Sequence, residues 1–180
     1  MAELVQNKYA NSLFEVALEN HVQDNIYNEL ISLHDIFTEN LDYLKIFSAP
    51  VLGRDVKQTL LSEAFENSLS VFTLNFLKLL VDNERFSLIF SIIEEYKRLY
   101  NSHYGIIEIT AITATTLSDH LKEKLIAKLG SVTQKKVRLN TVVDSSILGG
   151  IKLTFHQTEI DATVKSQLDE LRKSIIQTTI

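Results

Sequence analysis

Apolar residues recur at helical spacing through the first 104 residues of the chain. In the run Ile26, Leu30, Leu33 and Phe37, steps of three and four residues place every member on one face of a helix. Similar runs predict five further helices, at residues 5–17, 41–47, 56–65, 74–81 and 86–100. Pro50 is expected to end the third helix, because a proline interrupts the helical hydrogen-bond ladder. Six short helices joined by brief loops predict a compact helical bundle.

The apolar pattern changes period after Gly105, which is expected to end the sixth helix. Ile107, Ile109 and Ala111 alternate with polar residues, and a period of two is typical of a half-buried strand. Helical spacing then returns in the leucines of residues 117–129. The change of period indicates that a second kind of domain begins here.

The same two periods predict the remaining elements of this second segment. The helix of residues 117–129 has Thr116 as its predicted N-cap and Gly130 as its predicted end. Alternating residues predict two strands, at 137–141 and 151–155. A last helix is predicted from the spacing of Val164, Leu168, Leu171 and Ile175.

Charge and aromatic content also divide the chain into residues 1–104 and 105–180. The first segment has eight Lys and Arg against fifteen Asp and Glu, a net charge of −7, whereas the second has ten against eight, a net of +2. Fourteen of the fifteen Phe and Tyr residues precede Gly105, and Phe155 alone follows it. We therefore expect an α+β protein in which an N-terminal six-helix bundle precedes a small α/β domain with the order strand–helix–strand–strand–helix.

Composition excludes several classes of protein. There is no cysteine, so a disulfide framework and thiolate metal chemistry are excluded. Nothing approaches 18 consecutive apolar residues, so no membrane span or direct membrane insertion is expected. The first residues show neither a secretory signal nor a transit peptide. The acidic first segment argues against nucleic acid as a partner, because phosphate binding needs clustered Lys and Arg.

The sequence contains no recognisable catalytic or cofactor-binding motif. Both glycine-rich phosphate-binding motifs are absent, so no nucleotide cofactor is expected. The one glycine pair, Gly149 and Gly150, is expected to form a turn or bulge before the last strand. His156, Glu159 and Asp161 lie close together, but three scattered donors favour a polar turn followed by a helix start with Asp161 near the N-cap. We therefore expect no catalytic residue, no cofactor and no metal ion.

Two other functions remain open at this stage. Lys135, Lys136 and Arg138 form a basic cluster that could contact nucleic acid in an unrelated helical adaptor, although the balanced charge of this segment favours a solvated strand edge. His156 could serve a metal-assisted hydrolase, whose turnover would depend on that side chain.

The first and fifth predicted helices have more apolar surface than one core needs. Tyr9, Ala10, Leu13, Phe14, Ala17 and Leu18 cover more than a third of the first helix, and residues 71–81 of the fifth show the same excess. Both helices could simply be central to the bundle. Alternatively, they border an apolar groove that accepts an amphipathic helix of another protein.

Four sequence blocks together carry a family resemblance. They are Tyr9-Ala10-Asn11-Ser12-Leu13-Phe14-Glu15, the block from Asn75-Phe76-Leu77 to Asn83-Glu84-Arg85, Val143-Asp144-Ser145-Ser146-Ile147-Leu148-Gly149-Gly150, and Ile160-Asp161-Ala162-Thr163-Val164. In this order and separation they resemble the delta subunit of the bacterial and chloroplast rotary ATP synthase, a relative of the mitochondrial oligomycin-sensitivity-conferring protein. The resemblance covers essentially the whole chain.

The resemblance implies a non-catalytic stator subunit, present once per complex, that joins the catalytic head to the peripheral stalk. It implies that the helical domain binds the N-terminal helix of an alpha subunit between its first and fifth helices. It implies that the C-terminal domain contacts the b subunits of the stalk. The expected location is the periphery of the membrane, on the cytoplasmic face of a bacterial cell membrane or the stromal face of a plastid thylakoid.

Specific residues follow from the resemblance and from the apolar excess on the two helices. The alpha-subunit helix is expected to contact Tyr9, Leu13, Phe14, Ala17, Leu74, Lys78 and Val81. Structural motif positions of the family correspond to Asn75, Arg85, Asp144, Gly149, Gly150 and Asp161.

Overall fold

A computed structural model of the chain describes residues 2–49, 52–155 and 158–170. The helices are α1 (Ala2–Glu19), α2 (Gln23–Glu39), α3 (Leu41–Ser48), α4 (Arg54–Phe65), α5 (Val71–Asp82), α6 (Ile89–His103) and α7 (Asp119–Thr133), with a 3₁₀ turn at Phe86–Leu88. The strands are β1 (Ile106–Thr113), β2 (Lys136–Val143), β3 (Gly150–Phe155) and β4 (Thr158–Thr163). Residues 164–170 are helical and close the described part of the chain.

The protein is α+β and divides into two compact units, residues 1–100 and 101–180. The first unit is helical, and its core contains the large buried side chains Ile26, Leu30, Leu33, Phe37, Leu61, Leu77, Leu80, Phe86, Ile89, Ile92, Ile93 and Tyr96. Burying aromatic and branched side chains together supplies most of the free energy that favours folding. The second unit has a smaller core, centred on Ile107, Ile109, Ala111 and Leu153.

The apolar stripe predicted for α2 is confirmed, since all four of its members are buried. The stripe predicted for α4 is wrong in part. Val56 and Leu60 are 50% and 38% exposed, whereas Leu61 and Lys57 are buried. Lys57 can lie inside because its Nζ donates to the backbone carbonyl of Ala49, which satisfies one donor of the buried ammonium group.

The sheet of the second unit has the strand order β2-β1-β3-β4. β1 runs parallel to β2 and antiparallel to β3, and β3 pairs antiparallel with β4. The predicted order missed β4 and placed a polar turn there instead. Its residues alternate as a strand should, but only Ile160 and Ala162 are apolar, because β4 lies at the edge of the sheet. Glu159 and Asp161, read as turn residues, therefore belong to a strand.

Both predicted ends of α7 are wrong. The N-cap is Ser118 rather than Thr116, and its hydroxyl accepts a hydrogen bond from the backbone N–H of Leu121. The helix also continues through Gly130 to Thr133, and Gln134 ends it in a left-handed conformation with φ 55°. Gly130 is tolerated because glycine lowers helix stability without blocking the helical hydrogen bonds.

The helix predicted from Val164 begins where expected, and residues 164–170 are helical. Thr163 caps it, since the threonine hydroxyl accepts from the backbone N–H of Ser166. The remaining predicted members, Leu171 and Ile175, lie outside the described residues. Pro50 and His156 also lie outside them.

Candidate partner-binding surface of the helical unit

Two aromatic rings bring the first and fifth helices into contact. Tyr9 on α1 meets Phe76 on α5 edge to face, with ring centroids 6.4 Å apart and ring planes at 71°. Phe76 is buried, whereas Tyr9 is half-buried and packs against the core from outside. Since successive residues of a helix are about 100° apart around its axis, this contact identifies which edge of each helix faces the other.

Accessible side chains line the edge of α1 that faces α5. Val5, Ser12 and Val16 all lie within about 60° of Tyr9 around the helix axis. Ser12 is exposed, and Val16 exposes 39% of its surface. The neighbouring face of α1 points into the bundle and carries the buried Ala10, Leu13, Phe14 and Ala17.

The facing edge of α5 has a similar character. Phe72 and Leu79 lie within about 60° of Phe76, and Asn75 lies next to them at about 100°. Leu79 is 47% exposed, Asn75 is exposed, and Phe72 is half-buried against the core. The two edges together form an accessible strip, called here the α1–α5 strip: Val5, Tyr9, Ser12, Val16, Phe72, Asn75 and Leu79.

The predicted groove residues are distributed differently from this strip. Tyr9 lies in the strip, but five others lie in the interior: Leu13 (5% exposed), Phe14 (8%), Ala17 (0%), Leu74 (9%) and Val81 (2%). These five side chains therefore have almost no accessible surface in the free chain. Their apolar character is accounted for by the bundle core, and their partner-binding role stays a prediction.

The α5 residues predicted for the groove lie on the far side of that helix from α1. Leu74, Lys78 and Val81 are about 140–160° from Phe76 around the axis. Asp82, one turn after Lys78 on the same edge, accepts a hydrogen bond from Gln58 Nε2 of α4. This side of α5 therefore faces α4, whereas Phe72 and Leu79 lie beside α1 and the exposed Asn75 lies between the two sides. The binding role expected for Leu74, Lys78 and Val81 stays a prediction.

The sequence places Phe72 and Leu79 in the apolar excess of residues 71–81 and Asn75 among the motif positions, but none of the three among the expected partner contacts. Periodicity finds the apolar stripe of a helix without showing which neighbour lies on each side of the stripe. A signal was present nonetheless. Leu79 adds an apolar residue three positions after Phe76, outside the stripe of Leu74, Leu77, Leu80 and Val81.

Polar contacts hold α5 near both of its ends. At the N-terminus, the backbone N–H of Ser70 donates to Glu29 Oε1 at 2.7 Å and the Ser70 hydroxyl donates to Glu29 Oε2 at 2.8 Å. Beyond the C-terminus, Arg54 Nη2 donates to Glu84 Oε1 at 2.9 Å. The Arg54 guanidinium lowers the pKa of the Glu84 carboxyl below its ordinary 4.5, by hydrogen bonding first and by Coulombic attraction second.

The family-motif residues at the end of α5 differ in their surroundings. Asn75 and Arg85 are both exposed. The backbone N–H of Arg85 donates to the carbonyl of Leu80 at 2.8 Å, closing the turn between α5 and the 3₁₀ turn. Glu84 within this turn has φ 57°, a left-handed conformation.

In the second unit, one motif carboxylate stabilises a turn and another stabilises the end of β4, where the last helix begins. Asp144 Oδ1 accepts from the backbone N–H of Ser146, and Asp161 Oδ1 accepts from the backbone N–H of Thr163, both at 2.9 Å. Hydrogen bonds to Ser146 lower the pKa of Asp144, and hydrogen bonds to Thr163 lower the pKa of Asp161. Such hydrogen bonds favour the ionised carboxylate, so at neutral pH both side chains are charged and accept hydrogen bonds from the backbone.

Gly149 follows the turn at Asp144, and Gly150 is the first residue of β3. Gly150 has φ +86°, which only glycine adopts without strain, and a Cβ there would collide with the carbonyl oxygen of Ala162 on β4. The predicted turn role of the pair thus has a steric reason at Gly150: β4 passes too close for any side chain.

No group of three or more His, Cys, Asp or Glu side chains that could hold a metal ion occurs among the described residues. Within the same residues, no helix is both long and apolar enough to cross a lipid bilayer.

The sequence profile described as ATP synthase delta (OSCP) subunit matches residues 5–175. The chain belongs to this family. It is 32% identical to the "ATP synthase subunit delta" of Clostridioides difficile (strain 630), with 97% of each chain covered. It is 31% identical to the protein of the same name in Chlorobium phaeobacteroides (strain BS1), with 96% of each covered.

Solved structures agree at the level of the fold. A chain of the Toxoplasma gondii mitochondrial ATP synthase hexamer superimposes with a TM-score of 0.75 at 18% identity, covering 95% of this chain and 97% of that one. A chain of the Polytomella F-ATP synthase gives a TM-score of 0.51 at 20% identity and covers 54% of this chain and 87% of that one.

Membership of the delta (OSCP) family confirms the resemblance found in the sequence. The chain is a non-catalytic stator subunit of the F-type ATP synthase, a linking component of its peripheral stalk. As part of that complex it is a peripheral, membrane-associated subunit that takes part in ATP synthesis and ion transport.

Proposed function

We propose that residues 1–104 act as a six-helix bundle whose α1–α5 strip binds the amphipathic N-terminal helix of an alpha subunit of the catalytic head. The observation that carries the proposal is the pair of exposed apolar side chains, Val16 and Leu79, on either side of the Tyr9–Phe76 contact. An amphipathic helix buries its apolar face in such a setting, with anchors at spacings of three, four and seven residues.

The composition of the strip suits a partner helix of mixed character. Val5, Val16 and Leu79 provide apolar contacts, while the exposed Ser12 and Asn75 provide hydroxyl and amide groups for polar ones. Tyr9 offers an apolar ring, which packs on Phe76, and a polar hydroxyl group. A few such anchors supply most of the affinity in a typical interface.

We further propose that residues 105–180 contact the b subunits of the peripheral stalk. Exposed apolar side chains support this role, because a unit with a small core leaves several of them uncovered: Val143 (53% exposed), Leu148 (82%), Val164 (42%) and Leu168 (57%). With the head bound by one domain and the stalk by the other, the chain resists the torque of the rotor. We also propose that each complex contains one copy of this subunit, at the cytoplasmic face of the membrane.

The decisive experiment titrates the full chain with a synthetic peptide of the alpha subunit's N-terminus. Leu79→Glu places a charge in the middle of the strip, so we expect a loss of affinity of at least about tenfold, roughly 1.4 kcal/mol. Val56→Glu is the matched control, because Val56 is equally exposed but lies on α4. Circular dichroism should show both variants folded.

Two results would count against the α1–α5 strip. If Leu79→Glu binds the peptide as tightly as the unaltered chain does, the partner docks elsewhere. If Val56→Glu weakens binding as much as Leu79→Glu, the loss reflects the added charge rather than its position.

The division at residue 104 has its own test, because the helical unit has a separate core. A fragment of residues 1–104 should unfold cooperatively on heating and should retain the peptide affinity of the full chain. A fragment without a cooperative transition would contradict an independent first domain.

A further inference from the structure

The N-terminus of α5 has an unusual source of negative charge. Acidic residues commonly occupy the first turn of a helix, where they complement the positive end of the helix dipole. α5 has no acidic residue in its first turn. Glu29, a residue of α2 that lies 41 positions earlier in the chain, occupies this place instead.

The carboxylate of Glu29 is fully engaged at this helix end. Its Oε1 accepts from the Ser70 backbone N–H and from Asn25 Nδ2 at 3.0 Å, and its Oε2 accepts from the Ser70 hydroxyl. The Ser70 oxygen in turn accepts from the backbone N–H of Thr73, as an N-cap does. The chain of contacts runs from α2 through the carboxylate to the cap and then to the first turn of α5.

We propose that Glu29 is a positioning residue for the partner-binding strip: it acts as a capping group supplied from another helix and holds the first turn of α5 in place beside α1. The inference rests on the proposed function for its consequence, since Phe72 and Asn75 of the strip lie in the first two turns of α5. Its structural part, the local stability of those turns, stands on the hydrogen bonds alone.

The contact also bears on binding, because on this proposal it limits local opening of the first turn of α5, which needs no unfolding of the whole bundle. A partner that binds only the closed turn sees its apparent affinity reduced by the fraction of molecules that are open. A cap that keeps this turn closed therefore raises affinity without touching the partner.

Hydrogen exchange of the free, full-length chain tests the structural part. Glu29→Ala should speed exchange of the backbone amides of residues 73–77 about fivefold, which corresponds to roughly 1 kcal/mol of local stability. Glu29→Gln should retain most of the protection, because its amide oxygen can still accept from the Ser70 N–H. Glu39→Ala is the matched control, since it removes an exposed carboxylate from the same helix; exchange in α5 should not change.

Titration with the alpha-subunit peptide then tests the consequence. Glu29→Ala should bind about fivefold more weakly, with Glu29→Gln close to the unaltered chain. A core variant on α6, Ile93→Val, provides the second comparison: it lowers overall stability but leaves Ser70 and Glu29 intact, so peptide affinity should be retained. If peptide affinity depended only on overall stability, Ile93→Val and Glu29→Ala would both bind the peptide more weakly.

The outcomes are distinguishable. Unchanged α5 exchange in Glu29→Ala overturns the inference, and so does equal acceleration in Glu39→Ala. If Glu29→Ala fails to fold, a double-mutant cycle of Glu29→Met, which keeps a side chain of similar size but removes the acceptor oxygens, and Ser70→Ala replaces it, and strict additivity overturns the inference. If the unaltered chain does not bind the peptide, the proposed function fails, while the exchange result still decides whether Glu29 holds α5.

Discussion

The ring of Tyr9 meets the ring of Phe76 edge to face, and this contact fixes which edge of α1 lies beside α5. An edge-to-face pair is directional, since the positive ring edge of one residue faces the negative ring face of the other. Rotation of either helix about its axis would separate the rings. The accessible strip along the two helices therefore has a defined composition, with Val16 and Leu79 on its two sides.

Removing the Tyr9 ring should affect both stability and binding. Tyr9→Ala is expected to lower the free energy of unfolding of the helical unit by about 2 kcal/mol, from lost burial and the lost ring pair. Tyr9→Phe keeps the ring and should change stability little. Chemical denaturation followed by circular dichroism measures both. Tyr43→Ala, on α3 with Tyr43 43% exposed, should cost clearly less; an equal cost would argue against a special role for the Tyr9–Phe76 contact.

The helical spacing of the sequence predicted the stripe of α2 correctly, because Ile26, Leu30, Leu33 and Phe37 all face one core. The stripe predicted for α4 was wrong in part, since Lys57 is buried and Leu60 is not. The hydrogen bond from Lys57 to a backbone carbonyl offsets the cost of burying its ammonium group. Such a contact between distant residues leaves no trace in the local pattern. β4 was missed for a different reason, since an edge strand needs few apolar residues.

The residues of the candidate site were also only partly predictable from local sequence patterns. The resemblance and the apolar excess pointed to α1 and α5, but the sequence alone does not show which of their side chains are accessible in the folded chain. Periodicity finds the centre of an apolar stripe, and the centre is what the core buries, as at Ala17 and Leu77. The docking surface that we propose lies at the margin of the stripe, and the three-dimensional contact at Phe76 shows which margin borders α1.

Gly150 should be intolerant of any side chain. Gly150→Ala adds a Cβ at φ +86° that collides with the backbone of Ala162 and Thr163, so we expect at least about 2 kcal/mol of destabilisation of the second unit. Gly130→Ala offers the opposite case within the same unit. It lies inside α7 with only an ordinary contact at 3.5 Å, so it should stabilise by about 0.5–1 kcal/mol. Thermal unfolding measures both, and a harmless Gly150→Ala would contradict the close approach of β4.

Asp161 should make stability of the second unit depend on pH. Hydrogen bonds from the backbone and side chain of Thr163 lower its pKa below the ordinary 3.8, with Lys152 and Lys165 contributing. A lowered folded-state pKa contributes stability that is present above the unfolded value and is lost as the pH falls through the folded value. Asp161→Asn retains an acceptor oxygen but cannot ionise, so its deficit at neutral pH should shrink as the solution is acidified below about pH 4.

Thermal unfolding of both chains between about pH 2 and pH 6 checks this expectation. Asp169→Asn is the control, because it removes an exposed carboxylate from the helix that follows β4. A gap between the unaltered chain and Asp161→Asn that stays constant down to the lowest pH would show that ionisation of Asp161 does not stabilise the end of β4.

Ala17→Glu separates the core from the docking surface. Ala17 has no exposed surface, so a glutamate there must either bury its charge without a partner or push α1 away from the bundle. We expect a loss of about 3 kcal/mol or more in the free energy of unfolding, measured by denaturation. Val16 points outward from the same turn, so the free energy of unfolding of Val16→Glu should stay within about 1 kcal/mol of that of the unaltered chain. Val16→Glu should instead bind the peptide more weakly. If Ala17→Glu remained as stable as Val16→Glu and lost only peptide affinity, Ala17 would line the groove after all, and the α1–α5 strip would have to extend onto the face of α1 that we assign to the core.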